Sequence, residues 1–118
     1  MKKSHFPDAA NKYVVCPINE GCSRPVPSRG SPGSFWEERG DRHHCGVDLY
    51  ASTGSKVVSV EDAVVLEVGI FTSPRIIPYW NKTSYILVEN EDGLCAKFAE
   101  LARVDVRSGD RLSPGQMV

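Results

Sequence analysis

After His44 the chain contains no further histidine, and it has three in all, at 5, 43 and 44. Imidazole chemistry contributed from the later part of the chain is thereby excluded. No apolar stretch approaches the roughly 20 residues of a membrane-spanning helix, which excludes a helical span. The basic start Met1-Lys2-Lys3 has no apolar run behind it, so it does not read as a secretory signal. A cytoplasmic location is the default expectation on that basis. Neither sign of charge is in excess: the formal net charge is −1, which gives no electrostatic case for nucleic acid or an acidic membrane surface as partner. Cysteine is scarce, with four residues at 16, 22, 45 and 95. That number does not demand a disulfide framework in a chain of this length. Cys16 and Cys22 bracket a turn and could pair in an oxidising compartment. Their spacing is too wide for a zinc-finger pair. Cys45 and Cys95 fall in apolar, strand-like settings, which predicts buried thiols.

Amphipathic helical periodicity is also absent. What is present is a series of short β-branched runs with turn residues between them, and the expected fold is all-β, a single antiparallel sheet built from hairpins. Residues 1–12 are polar, with His5 isolated among them, and Tyr13-Val14-Val15-Cys16 reads as a short edge strand. Prolines at 17, 25, 27 and 32 with glycines at 21, 30 and 33 rule out a helix or a central strand up to residue 33. Phe35-Trp36 is expected to cover one end of the sheet. Glu37-Glu38-Arg39-Gly40-Asp41-Arg42 reads as a solvated turn. Residues 56–60 and 63–68 are predicted to pair as a hairpin around Glu61-Asp62. Residues 69–83 form a longer loop carrying Tyr79 and Trp80, which either wall a groove or close one end of the barrel. A second hairpin joins residues 84–89 and 94–101 across Asn90-Glu91-Asp92-Gly93. Two short β segments follow, in 104–112 and 113–118. The domain reading is an N-terminal extension and Pro/Gly-rich loop over 1–33, then a β domain over 34–118.

The chain is organised around Arg42-His43-His44-Cys45-Gly46-Val47-Asp48-Leu49-Tyr50. If residues 44–50 are a strand, His44, Gly46 and Asp48 share one face, with Cys45 and Val47 on the other. Full extension would put the α-carbons of His44 and Asp48 about 13 Å apart at about 3.3 Å per residue, slightly too far for both side chains to reach one metal ion. The strand must therefore bend, and Gly46 is the expected place. From spacing alone, a hydrogen-bonded His–Asp pair without metal is the favoured account of the pattern.

The His-x-Gly-x-Asp pattern at 44–48, its Leu-Tyr continuation, Gly54-Ser55-Lys56-Val57-Val58 and Glu61-Asp62-Ala63-Val64-Val65 resemble the M23 family of zinc metallopeptidases. The resemblance covers roughly the last two-thirds of the chain. It implies a domain of barrel-sandwich hybrid type, a zinc cofactor (Zn2+) held by His44 and Asp48, and action on peptide cross-links of peptidoglycan. Phe98-Ala99-Glu100-Leu101 aligns with the family's Tyr-x-His-Leu segment and carries Glu100 in place of the catalytic histidine. The family's C-terminal His-x-His segment has no counterpart before Val118. The resemblance therefore implies an incomplete or degenerate peptidase in which Glu100 takes the catalytic place, while Tyr79, Trp80 and Arg42 line the substrate groove. It also makes an extracytoplasmic location the expectation if the chain is a fragment of a cell-wall enzyme. The alternatives are a non-catalytic peptide- or glycan-binding module on the same fold, and a biotinyl- or lipoyl-like hybrid domain, whose hairpins resemble residues 106–116. An unpaired sheet edge is a possible route to self-association.

Overall fold

A computed structural model describes residues 14–118. His5 and Tyr13, at the start of the predicted edge strand, lie outside the described residues. Among the described residues there is no helix, and the regular structure is one four-stranded antiparallel sheet: β1 (Ala63–Thr72), β2 (Thr83–Glu89), β3 (Cys95–Leu101) and β4 (Arg111–Leu112), in the order β3-β2-β1-β4. The fold is all-β, as its β-branched runs imply. The described residues divide into two compact units, Ile18–Lys56 and the remainder, which contains the sheet.

The sheet unit follows from alternation along its strands. Val65, Ile86 and Val88 face one side and are buried, Ile86 fully. Because cross-strand partners share a face, the pairs Val65↔Val88 and Ile86↔Phe98 stack the apolar residues of three strands. Ala63, Leu101, Leu112 and Val118 complete this core, with Val57, Phe98, Val104 and Val106 packed on it. Each aliphatic side chain buried there contributes on the order of 2 kcal/mol. The hairpin of β2 and β3 turns at Asn90, whose Oδ1 accepts the backbone N–H of Asp92 and of Leu94, both at 2.9 Å, an Asx-type turn closed by Gly93.

Three expectations need correction. Residues 56–60 do not form a hairpin with 63–68. Their backbone instead meets the C-terminal segment: Val58 bridges Met117, Ser59 N–H donates to the Gln116 carbonyl at 2.8 Å, and Val118 N–H donates to the Val57 carbonyl at 3.0 Å. Glu61-Asp62 is thus a bend, and β1 takes β2 and β4 as its neighbours. β1 also runs on to Thr72, through residues expected to be loop. What allows this is the approach of the Tyr85 ring to Gly69, where a Cβ would meet ring atoms at 2.7–2.9 Å; a glycine in a strand leaves room for such a close neighbour. Finally, Cys45 and Cys95 are exposed and not buried.

On the sheet face away from the core, Tyr85 donates its hydroxyl to Glu67 Oε2, and Lys97 Nζ stands 4.4 Å from the Tyr85 ring centroid. The bond to Glu67 raises the Tyr85 pKa above its ordinary 10.0, burial and the Glu67 charge adding to the effect. A raised folded value means the interaction stabilises fully below the unfolded pKa and is lost as pH climbs through the folded one. Ultraviolet titration is expected to show a tyrosine ionising above the ordinary range, and Glu67→Gln is expected to return it toward that range. An unaltered titration in that variant would contradict the assignment.

Candidate functional site

The unit Ile18–Lys56 contains no strand of the sheet. It is held by backbone hydrogen bonds between residues 33–38, which open as a turn, and residues 43–48. His44 N–H donates to the Glu37 carbonyl at 2.8 Å, Cys45 N–H to the Phe35 carbonyl at 3.0 Å, and Asp48 N–H to the Gly33 carbonyl at 2.9 Å. Glu38 and His43 form an antiparallel bridge. The charged run 37–42 is the connecting turn, closed by Arg39 N–H to the Arg42 carbonyl at 2.7 Å.

Residues 44–50 are not a regular strand, and the bend is not at Gly46. Cys45 takes the left-handed conformation, φ 57°, one that L-residues other than glycine seldom adopt. That twist folds the segment back on itself, so that His44 Nε2 lies 3.3 Å from Asp48 Oδ1. His44 is mostly buried, with 14% of its side chain exposed, whereas Asp48 is half-buried.

The ring orientation of His44 is set by its other nitrogen. Nδ1 lies 3.0 Å from the Ser34 carbonyl oxygen; a carbonyl only accepts, so Nδ1 carries the hydrogen. In the neutral imidazole Nε2 is then a bare lone pair facing a carboxylate oxygen, two acceptors with nothing between them to share. A metal ion, or the second ring proton of an imidazolium, resolves that opposition. The separation suits a metal ion, since two donors each about 2.0–2.1 Å from a tetrahedral zinc stand about 3.3 Å apart. Backbone carbonyls holding the remote N–H of a metal-binding histidine are the usual outer support of such sites. Gly46 leaves the space open: a Cβ there would stand 3.6 Å from His44 Nε2. These two side chains therefore fit as a pair of zinc donors. Among the described residues no group of three or more His, Cys, Asp or Glu side chains converges as a complete metal site would require.

Arg39 and Glu37, read from the sequence as part of a solvated turn, are neighbours of this pair. Arg39 Nη2 is 3.9 Å from Asp48 Oδ2 and 3.1 Å from Glu37 Oε1. Glu37 has its pKa lowered, first by the hydrogen bond from the Gly33 backbone N–H and then by that from Arg39. Nothing in the spacing of Glu37-Glu38-Arg39 marks these roles; they arise from pairing with Gly33 ahead of the turn and Asp48 after it. Arg42, the arginine expected to touch substrate, donates instead to the His43 carbonyl at 3.2 Å. His43 Nε2 faces Glu38 Oε1 at 3.6 Å. Phe35 and Trp36 are both partly exposed, meeting edge to face at 5.5 Å, with the Arg29 guanidinium 5.2 Å over Trp36.

Tyr79, Trp80 and Glu100 belong to the sheet unit. Tyr79 is 84% exposed on the loop after β1, and Trp80 is half-buried, its N–H donating to the Ile77 carbonyl at 2.9 Å. Glu100 is exposed near the end of β3, where the register with β2 slips by one residue: Ile86 faces Phe98, but Ser84 faces Leu101. At that bulge Glu100 holds φ 61°. Bulges of this kind re-aim a side chain.

Both backbone outliers give testable expectations. Glu100→Gly removes the left-handed penalty of about 1–2 kcal/mol and returns part of it as chain entropy, so denaturant unfolding is expected to show a gain of about 0.5–1 kcal/mol. A loss of stability would show that the carboxylate makes a contact worth more than the strain. Gly33 is the opposite case: it holds φ 83°, and a Cβ would meet the Tyr50 hydroxyl at 2.9 Å and Asp48 Cβ at 3.0 Å. Gly33→Ala is expected to displace Asp48 and cost about 1–2 kcal/mol, read as NMR shift changes centred on Asp48 and Tyr50. A spectrum unchanged at those two residues would overturn that picture.

Searches of curated proteins and of solved structures return no match. Residues 42–118 match the sequence model of Peptidase family M23. The match takes in His44, Asp48 and every strand of the sheet, well over half of the chain, and the chain belongs to peptidase family M23.

Proposed function

We propose that this protein is a zinc-dependent endopeptidase domain acting on the peptide cross-links of peptidoglycan, with His44 and Asp48 as two of the zinc donors. The single observation that carries the reading is the 3.3 Å separation of His44 Nε2 from Asp48 Oδ1, with Nδ1 already committed to the Ser34 carbonyl. Membership of a peptidase family supplies the reaction class. A bound zinc supplies the Lewis acidity that activates water and polarises the amide carbonyl. The chain's own residues do the rest. His44 and Asp48 present a lone pair and a carboxylate oxygen, and Ser34 fixes the imidazole. In the sheet unit, the exposed Glu100 carboxylate is the group that would accept a proton or hold a substrate amine, and Tyr79 offers an exposed aromatic face to a substrate. The described residues do not bring a third donor to this pair.

A second reading is a peptide- or glycan-binding module that keeps the fold without the catalysis. Two observations favour it: the described residues bring no third donor to the pair, and Glu100 stands where the resemblance leads one to expect a catalytic histidine.

Elemental analysis of the purified protein after chelator-free dialysis, beside His44→Ala, separates the two. The peptidase reading expects close to one zinc per chain in the wild type, its loss in the variant, and zinc-dependent cleavage of short cross-linked peptides. Absence of zinc from both proteins, with binding of those peptides intact, would leave the binding module.

A further inference from the structure

The turn that precedes the family match does more than connect. Its 33–37 segment supplies every hydrogen bond just described for the metal-binding pair, and one residue touches all of them. The Glu37 N–H donates to the Ser34 carbonyl at 3.2 Å, the same oxygen that takes His44 Nδ1. The Glu37 carbonyl takes the His44 N–H at 2.8 Å. Its carboxylate Oε1 takes the Gly33 N–H at 3.1 Å, and the Gly33 carbonyl in turn takes the Asp48 N–H at 2.9 Å. The same Oε1 accepts Arg39 Nε at 3.2 Å and Nη2 at 3.1 Å, which holds the guanidinium 3.9 Å from Asp48 Oδ2.

We propose that Glu37 is a positioning residue for the His44–Asp48 pair, its carboxylate closing the 33–37 turn so that the two donors arrive at a metal-binding separation before any ion is present. The inference rests on the metal-binding reading of the pair and extends it to residues 33–39, which lie ahead of the family match at 42–118. The physical reason is pre-organisation. Backbone hydrogen bonds alone leave the turn free to open, because Gly33 at its head has the largest conformational freedom of any residue type. A charged acceptor bridging Gly33 N–H and Arg39 removes that freedom, charge-assisted bonds being the stronger kind. The 3.9 Å contact from Arg39 to Asp48 is longer than a hydrogen bond and lies between partly exposed groups. It acts as a weak electrostatic guide on Oδ2, leaving Oδ1 toward His44.

The test uses Glu37→Ala, Glu37→Gln and, as control, Glu38→Gln, whose side chain is 83% exposed. Two readouts are taken on the full chain. In metal-free protein, backbone amide exchange at His44 and Asp48 is expected to accelerate in Glu37→Ala while the β2 amides stay as in the wild type. Zinc titration against a chromophoric chelator is expected to show about tenfold weaker binding, the scale of losing outer-shell support. Glu37→Gln, which keeps an oxygen for Gly33 N–H and loses the ion pair, is expected to fall between, and the control to match the wild type. Unchanged exchange at His44 and Asp48 in Glu37→Ala, or faster exchange with unaltered zinc affinity, would overturn the proposal. If the wild type itself takes up no zinc, the peptidase reading fails, and the exchange readout alone decides whether Glu37 orders the pair.

Discussion

The carbonyl oxygen of Ser34 accepts two hydrogens, one from the Glu37 backbone and one from His44 Nδ1, and the chemistry available to this molecule depends on the second. A histidine whose Nδ1 is held by a carbonyl has one nitrogen left, and here it points at a carboxylate oxygen. Had Nδ1 been free, the ring could flip and donate Nε2–H to Asp48, giving an ordinary polar pair. For the neutral ring the hydrogen bond removes that option and leaves two acceptors that a metal ion or a second ring proton would join. Ser34 is itself 1% exposed, so its carbonyl has no water to fall back on.

Backbone conformation does much of the work that a regular element would do elsewhere. Cys45 in the left-handed region turns the chain so that residues four apart meet. The glycine one step later keeps an ordinary φ and contributes space instead. At the end of β3, Glu100 adopts the same unusual conformation inside a bulge. Strained residues of this sort persist only where surrounding structure over-determines them: cross-segment hydrogen bonds do so for Cys45, and the pairing of β2 with β3 does so for Glu100. Both outliers stand at or beside residues the sequence singled out.

How much of this was legible beforehand varied with the length of the interactions involved. The hairpin of β2 and β3 could be read directly, because alternation and an Asn-to-Gly turn are local signals. The first half of β1 was equally plain, whereas its second half was hidden by Gly69, whose tolerance comes from Tyr85 on another strand. The supposed hairpin at Glu61-Asp62 failed for the same reason: the partners of residues 57–59 are at 115–118, and no local pattern reports a pairing across that distance. In the site, His44 and Asp48 were legible through their motif, but the bend was assigned to the glycine, since composition offers no signal for a cysteine at positive φ. Glu37 and Arg39 were invisible as participants. A charged turn looks the same in sequence whether it faces only water or bridges a glycine and an aspartate.

The most direct test of the account is the protonation pattern of the His44 ring in metal-free protein. Long-range nitrogen–proton NMR in mildly alkaline buffer distinguishes a nitrogen that carries hydrogen from one that carries a lone pair. The structure predicts hydrogen on Nδ1 and a bare Nε2, with the Nε2 signal moving on addition of zinc. Hydrogen on Nε2, donated to Asp48, would contradict the account and return the pair to a simple polar contact.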